Sequence, residues 1–217
     1  MLDEVGRLKR PIVPPIVRYL ESISGVTSGV PFVLHAASTH PQAPWWETRP
    51  GRQPASLNPT AGICGPLYKN HLNHPWLKRA SEWCWDEIEA MPELGPYEAR
   101  VVLHFLDFVP DRRRAAVALE RLRPSLLKKD VVDLTSKATG DVHRPLDFSP
   151  LPGVLSRSLF EEKAIERNLD WIERTQAKDG GWPVAFPIWT PITKFEWEGV
   201  QTVEMLKVLR ANRRLLK

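Results

Sequence analysis

Cysteine is scarce in this chain, with only Cys64 and Cys84 among 217 residues. Two cysteines cannot build a disulfide scaffold, so reduced thiols and a cytoplasmic location are expected. Long apolar runs are also lacking, and without a run of about 18 apolar residues no transmembrane helix is expected. The first ten residues are charged and contain no apolar segment, so no secretory signal is expected either.

Common catalytic and metal-binding motifs are absent. The sequence has no phosphate-binding glycine-rich loop, no nucleophile elbow and no Cys-x-x-Cys pair. His71 and His74 lie between Cys64 and Cys84, but the two thiols lack the close spacing of a zinc site. Small buried thiols are therefore favoured over a zinc site, and neither a metal nor a cofactor is expected.

Basic charge is not concentrated in one part of the chain. The 30 Lys and Arg residues are spread along the sequence against 26 Asp and Glu residues, which gives a net charge of +4. Nucleic-acid-binding domains usually concentrate basic residues on one face or stripe. The densest run, residues 112–114, precedes an alanine-rich helix and is interpreted as a solvated helix start. No nucleic-acid partner is expected.

Helical periodicity is the dominant pattern, and no segment alternates convincingly as a strand would. Apolar residues recur at helical spacing in five segments: Trp76–Ile88, Val101–Leu106, Ala115–Leu122, Phe160–Ile172 and Trp197–Leu209. Shorter or weaker patterns cover Ile16–Ile23, Ala61–Tyr68 and Leu126–Leu134. The sequence therefore predicts an all-α fold of seven or eight helices.

Three long segments between these helices are rich in proline and aromatic residues. They cover 33–57, 138–157 and 183–195, and the chain holds 21 prolines and 9 tryptophans in all. Long loops in a compact domain are usually functional or disordered, and disordered segments rarely hold so many aromatic residues. These loops are therefore expected to be ordered and to cover a cavity or an interface.

The chain resembles itself when it is shifted by 152 positions. Tyr19-Leu20-Glu21 then falls on Trp171-Ile172-Glu173, and Ser28-Gly29-Val30-Pro31 falls on Gly180-Gly181-Trp182-Pro183. Both copies end a helix with a small-residue turn followed by proline. The two segments are therefore interpreted as the first and last copies of an internal repeat.

The last copy contains a recognisable motif. Trp171-Ile172, three residues, Gln176 and then Asp179-Gly180-Gly181-Trp182 resemble the QW-type motif of the squalene–hopene cyclase and protein prenyltransferase repeat families. In those families the motif ends an outer helix of an α/α toroid, so the resemblance implies a toroid-like architecture and an apolar, isoprenoid-type ligand. Trp182 is then expected to contact both neighbouring helices. The cyclase acid motif Asp-x-Asp-Asp and the diphosphate motif Asp-Asp-x-x-Asp are both absent.

The repeat also predicts how many helices the chain contains. Helices alternate in direction around a toroid, so an even number must separate equivalent copies, and this requires a helix within 125–137. The prediction is one domain over 1–217 with eight helices in four pairs, from a degenerate first repeat at 11–70 to a QW-like repeat at 158–217. Four pairs would leave the ring open or compressed, and a homo-oligomer or a partner chain could complete it.

A candidate catalytic pair lies in the loop 138–157. His143, Arg144 and Asp147 place a possible base, a permanent cation and a carboxyl group within five residues. In an apolar pocket such a carboxyl group can stay protonated and act as a general acid. The alternative is a loop in which Asp147 caps a turn and His143 is solvated. His104 and Asp107, one helical turn apart, are more simply explained as a core pair or a helix-end cap.

Candidate substrate-binding residues are the histidine and aromatic residues of two long loops. Aromatic faces stabilise cations and pack against prenyl chains. The alternative is that buried tryptophans merely hold these loops in place. The candidates are His35, Trp45, Trp46, Phe186 and Trp189.

Three functions are compatible with these patterns. The first is an isoprenoid-binding protein of the cyclase and prenyltransferase-repeat type, which could carry out acid-catalysed cyclisation or isomerisation. The second is a non-catalytic α/α scaffold that binds a partner chain, which the missing acid motif favours. The third is a carbohydrate-active toroid, because aromatic platforms and paired carboxylates also suit sugars.

Overall fold

The prediction of an all-α fold is confirmed. A computed structural model describes residues 8, 11–43, 46–51, 53–140, 142–186, 188 and 190–215. Within them lie eight α-helices: α1 (Val13–Ser24), α2 (Leu57–Lys69), α3 (Pro75–Ala90), α4 (Pro96–Phe108), α5 (Arg112–Leu126), α6 (Pro145–Phe148), α7 (Glu162–Arg174) and α8 (Pro191–Ala211). The described part contains no β-sheet, only an isolated bridge between Pro31 and Ala55.

The chain divides into two compact units. Unit 1 covers Met1–Leu122 and unit 2 covers Arg123–Lys217. The prediction of one domain over 1–217 stays a prediction. No helix in the described residues is long and apolar enough to cross a membrane.

The core of unit 1 is built on close packing of α2 against α4. A Cβ atom at Gly62 would lie 3.1 Å from a methyl group of Val101, and one at Gly65 would lie 2.9 Å from the backbone oxygen of His104. The two glycines thus let the helices approach more closely than side chains would allow. Phe105 of α4 also meets the ring of Trp85 from α3 edge-on, with ring centroids 5.1 Å apart.

The core of unit 2 lies between α6, α7 and α8. The apolar face of α7 buries Ile165, Leu169 and Ile172, which follow the three- and four-residue spacing of a helix face. The last third of α8 contributes Met205, Val208 and Leu209 to the same cluster. Trp182, from the loop between α7 and α8, and Leu146 of α6 complete it.

The predicted helix within 125–137 is not formed, so the prediction was wrong. Helix α5 continues through Pro124 and ends at Leu126, and turns and irregular backbone follow as far as residue 137. Asp133 explains part of this, because its carboxylate accepts hydrogen bonds from the backbone N–H groups of Thr135 and Ala138 at 2.8 and 2.9 Å. Such local side-chain bonds compete with helix formation. The eighth helix is instead α6, a single turn inside the predicted loop 138–157.

Helix α8 also begins earlier than predicted. It starts at Pro191 inside the predicted loop 183–195, after Thr190. The Thr190 hydroxyl accepts a hydrogen bond from the Thr193 N–H at 3.3 Å, and proline at the first helical position needs no such acceptor. The Thr-Pro dipeptide is the sequence signal that marks this helix start.

Candidate functional site

The two copies of the internal repeat bury the same positions. Val17 and Leu20 lie on the buried face of α1. Leu169 and Ile172, 152 positions later, lie on the buried face of α7. The shift of 152 positions found in the sequence therefore also relates the buried positions of α1 to those of α7.

Trp182 occupies the position that the motif predicts. Its ring is buried, and its Nε1–H donates to the Ile172 carbonyl of α7 at 2.7 Å. Its backbone N–H donates to the Thr202 hydroxyl of α8 at 3.1 Å. The prediction that this tryptophan contacts both neighbouring helices is confirmed.

The same backbone contact is present in the first copy. The Val30 N–H, 152 positions before Trp182, donates to the Thr60 hydroxyl of α2 at 2.8 Å. In both copies the threonine hydroxyl donates in turn to a carbonyl four residues earlier, from Thr60 to Ser56 and from Thr202 to Glu198, each at 2.7 Å. The sequence comparison missed both threonines, because each lies in a following helix at a different distance from its turn.

Gln176 has a different partner from the predicted one. The motif predicts that its amide satisfies a carbonyl of the last helical turn. Its Nε2 instead donates to the Gly180 carbonyl of the following loop at 2.8 Å. Gly180 has a positive φ of +91°, which glycine adopts without strain. The glutamine therefore closes the turn that brings Trp182 back onto α7.

The candidate catalytic residue Asp147 lies in the first turn of α6. Its Oδ2 accepts a hydrogen bond from the Arg144 backbone N–H at 2.7 Å, the carboxylate half of a capping box. The ring of His143 packs beside Phe148, with centroids 5.7 Å apart. This geometry corresponds to the turn-capping alternative, and a catalytic role for His143 and Asp147 stays a prediction.

Arg144, the permanent cation between the two candidates, is buried. Its guanidinium carbon lies 3.7 Å from the centroid of the Trp171 ring. Its Nη2 donates to the Ala138 carbonyl at 2.7 Å and its Nη1 to the Val142 carbonyl at 3.2 Å. Burial lowers the pKa of Arg144, whereas the negative charges of Asp147 and Asp133 act to raise it. Arg144 thus joins the loop to α7.

The predicted substrate-binding residues do not form one described cluster. In unit 1, His35 is exposed and its Nδ1 lies 3.0 Å from the Thr48 hydroxyl, while Trp46 is 44% exposed. In unit 2, Phe186 packs edge-on against Trp197 of α8, with centroids 5.4 Å apart. Two further candidates, Trp45 and Trp189, lie outside the described residues.

The two cysteines of unit 1 contact each other in the core. Cys64 and Cys84 are both free and buried. A hydrogen bond with Cys64, together with burial, raises the pKa of the Cys84 thiol. The structure, as far as it describes the chain, contains no group of three His, Cys, Asp or Glu side chains placed to hold a metal ion.

A cleft of about 700 Å³ lies in unit 1, where α2 and α4 end and α3 and α5 begin. Sequence reasoning did not identify it, because its residues come from two separate stretches, 68–78 and 107–112, that only tertiary packing brings together. We call it the basic cleft, and it is lined by Tyr68, Lys69, His71, Leu72, Asn73, His74, Leu77, Lys78, Asp107, Phe108, Val109, Pro110 and Arg112.

The charge of the basic cleft is predominantly positive. Its lining includes Lys69, Lys78 and Arg112 but a single carboxylate, Asp107. The Nζ of Lys69 lies 5.7 Å from the centroid of the Phe108 ring. Arg112 donates through Nη1 to the carbonyl of residue 106 at 2.6 Å, so its guanidinium is held at the end of α4. The cleft can therefore attract an anionic group.

Two histidines, His71 and His74, line the basic cleft beside the ends of α2 and α3. His74 caps α3, its Nδ1 accepting from the Trp76 N–H at 3.2 Å, so a proton on its ring resides on Nε2. His71, two residues after the end of α2, has a φ of +56°, the left-handed conformation that glycine usually supplies at this position. The backbone N–H of Leu72 donates to the Leu67 carbonyl at 3.0 Å and closes the helix end. A histidine is thus held in a conformation that costs about 1 kcal/mol for a residue with a side chain.

Comparisons with known proteins supply no further assignment. No protein family, curated protein or solved structure matches this chain.

Proposed function

We propose that this chain is a protein of the terpenoid cyclase and prenyltransferase-repeat type that binds an isoprenoid-type ligand with an anionic head group in the basic cleft. The observation that carries the proposal is the combination of three cationic side chains with an apolar and aromatic wall in one cleft of unit 1. Ligand sites are typically concave and mostly apolar, with a few charged groups that fix orientation.

The two ends of the ligand have distinct complements in the cleft. A diphosphate-like head group would lie near Lys69, Lys78 and Arg112, whose charges offset its own. An apolar chain would lie against Tyr68 and Phe108. The Tyr68 hydroxyl lies 2.9 Å from the Ser81 hydroxyl, and burial raises its pKa, so it remains an uncharged wall.

The repeat geometry supports the choice of protein class. Trp182 contacts α7 and α8 as the QW-type motif implies, and the Val30–Thr60 and Trp182–Thr202 contacts repeat one arrangement. A toroid-like arrangement of the helices belongs to the same proposal. Acid-catalysed cyclisation or isomerisation stays a prediction beside this proposal, and the Asp147 carboxylate that it would need caps α6 in the structure.

The experiment is thermal unfolding with farnesyl diphosphate, inorganic diphosphate and squalene as separate additions. A ligand bound only by the folded chain raises its melting temperature. The proposal expects the largest shift from farnesyl diphosphate, a smaller shift from inorganic diphosphate and none from squalene. Equal melting temperatures with and without farnesyl diphosphate would overturn it.

Variants of the cleft sharpen this experiment. His71→Gly relieves the left-handed backbone, so it should stabilise the free chain by about 1 kcal/mol while weakening the response to farnesyl diphosphate. Lys78→Gln should weaken the response to farnesyl diphosphate and should not stabilise the free chain. Lys129→Gln removes an exposed lysine of unit 2 and serves as the matched control, for which an unchanged response is expected.

A non-catalytic scaffold is the second candidate function. It is favoured by the exposed apolar residues of α8, of which Ile192, Phe195 and Val203 are each more than half exposed. Large exposed apolar patches mark interaction surfaces. Under this proposal the repeats hold that surface for a partner chain.

A further inference from the structure

An apolar stripe runs along α8 from Ile192 to Leu206, and its large side chains are exposed in the described part of the chain. Five residues at helical spacing form it: Ile192, Phe195, Gly199, Val203 and Leu206. Their exposed fractions are 65% for Ile192, 68% for Phe195, 55% for Val203 and 37% for Leu206. A Cβ atom on Gly199 would meet no atom within 4 Å.

In the first repeat, a position that corresponds to this stripe is packed. Thr60 of α2 and Thr202 of α8 make the same contact, so the residues that follow them correspond. Ala61 of α2, which is fully buried, thereby matches Val203 of α8. In unit 1 this face of α2 packs against neighbouring helices. Among the described residues, the corresponding Val203 of α8 is 55% exposed instead.

The stripe is symmetric about Gly199. Ile192 and Leu206 lie seven residues to either side of it, and Phe195 and Val203 lie four residues to either side. A two-fold interface requires self-complementarity, because residue i meets residue j and j meets i. An antiparallel pair of α8 helices with its axis at Gly199 meets this requirement, since Ile192 then faces Leu206 and Phe195 faces Val203 of the second copy.

The charges beside the stripe complement each other in the same arrangement. Glu196 and Lys207 lie on the same flank, about 40° and 60° around the helix from Ile192 at 100° per residue. When one of the two helices is reversed, Glu196 of each copy lies on the same side of the helix pair, and towards the same end, as Lys207 of the other copy.

We propose that the apolar stripe of α8 is a homodimer interface, in which two copies pair antiparallel about a two-fold axis at Gly199. This proposal is independent of the basic cleft, which lies in the other unit. Because one helix pair buries a small area, a dimer that dissociates at micromolar concentrations is expected.

The first test measures molar mass by sedimentation or light scattering across a concentration series. The chain should approach the mass of a dimer at high concentration, and Phe195→Glu should raise the dissociation constant roughly 30-fold or more. Val117→Glu, at an exposed apolar residue of α5, is the matched control and should leave the constant unchanged. A wild-type chain that stays monomeric throughout overturns the proposal and assigns the stripe to another occupant.

The second test establishes the register of the two helices. Glu196→Lys and Lys207→Glu should each weaken the dimer, and the double exchange should restore it. Gly199→Cys should form an intermolecular disulfide under mild oxidation, because the two positions meet at the axis. Lys194→Cys, about 140° around the helix from position 199, should not form an intermolecular disulfide. A dimer that is indifferent to the charge exchange and fails to cross-link at 199 overturns the antiparallel pairing.

Discussion

The replacement of Trp182 by alanine is the most direct test of the QW-like turn. The indole is 2% exposed and lies in the cluster that holds Ile172 of α7 and Leu209 of α8. Removing a buried tryptophan side chain costs about 3–5 kcal/mol, from lost apolar burial and the cavity left behind. The Ile172 carbonyl also loses the Nε1–H donor that lies 2.7 Å away. We therefore expect a loss near the upper end of that range.

Two further variants separate the contributions to this loss. Trp182→Phe keeps most of the apolar ring but has no N–H donor, so it should cost about 1–3 kcal/mol. Trp46→Ala removes a tryptophan that is 44% exposed, and it should cost less than either. Urea unfolding followed by circular dichroism gives the three free energies of unfolding on one scale.

The order of the three free energies of unfolding decides whether the Trp182 indole joins α7 to α8. If Trp182→Ala lowers the free energy of unfolding no more than Trp46→Ala does, the indole does not join α7 to α8. The QW-like interpretation would then lose its structural content. A loss of the expected size is a large part of the stability of an ordinary domain, which is about 5–15 kcal/mol, so the variant should also unfold at lower temperature.

Three other substitutions test the remaining contacts. Thr60→Val and Thr202→Val should each cost about 1–3 kcal/mol in urea unfolding by leaving a backbone N–H without its acceptor, whereas the exposed control Thr39→Val should cost less. Asp147→Asn should cost about 1 kcal/mol or less by thermal unfolding, because an amide oxygen can still cap α6, and a larger loss would contradict the capping role. Burial raises the pKa of Asp133, but hydrogen bonds from Thr135 and Ala138 outweigh it and bring that pKa to about 2. Since the folded-state pKa is depressed, this carboxylate stabilises the fold above its unfolded pKa of about 3.9, and the advantage over Asp133→Asn should fade as the pH falls towards 2.

The helices were predictable where one face is apolar and the other polar. The stripe of Ile165, Leu169 and Ile172 predicted both the position and the buried face of α7. Helix α8 has apolar residues on several sides, so its periodicity predicted a helix but not the face that packs. Its Val203 belongs to the predicted stripe and is 55% exposed, whereas Met205, outside that stripe, is buried.

The basic cleft was not predictable, for a physical reason. Its charged residues, such as Lys69, Lys78 and Arg112, come from three helices, and only tertiary packing brings them together. No spacing rule along the chain encodes that convergence. The Schellman-type end of α2 was equally hidden, because the left-handed position is held by His71 rather than by the glycine that usually marks it.

In the first repeat, a different residue supplies the hydrogen bond to the helix-end carbonyl. It lacks the tryptophan and glutamine of the motif, with Val30 and Ser24 in their places. The indole N–H of Trp76, a fully buried residue of α3, donates to the Ser24 hydroxyl at 2.9 Å. That hydroxyl in turn donates to the Leu20 carbonyl.

Leu20 is the residue 152 positions before Ile172, whose carbonyl receives the indole N–H of Trp182 directly. In both units a buried indole therefore satisfies the same helix-end carbonyl, once directly and once through a serine. The physical requirement is that a buried carbonyl and a buried indole each need a partner, and it does not specify which segment supplies the ring. A repeat that is faint as sequence can for that reason persist as a repeated pattern of satisfied polar groups.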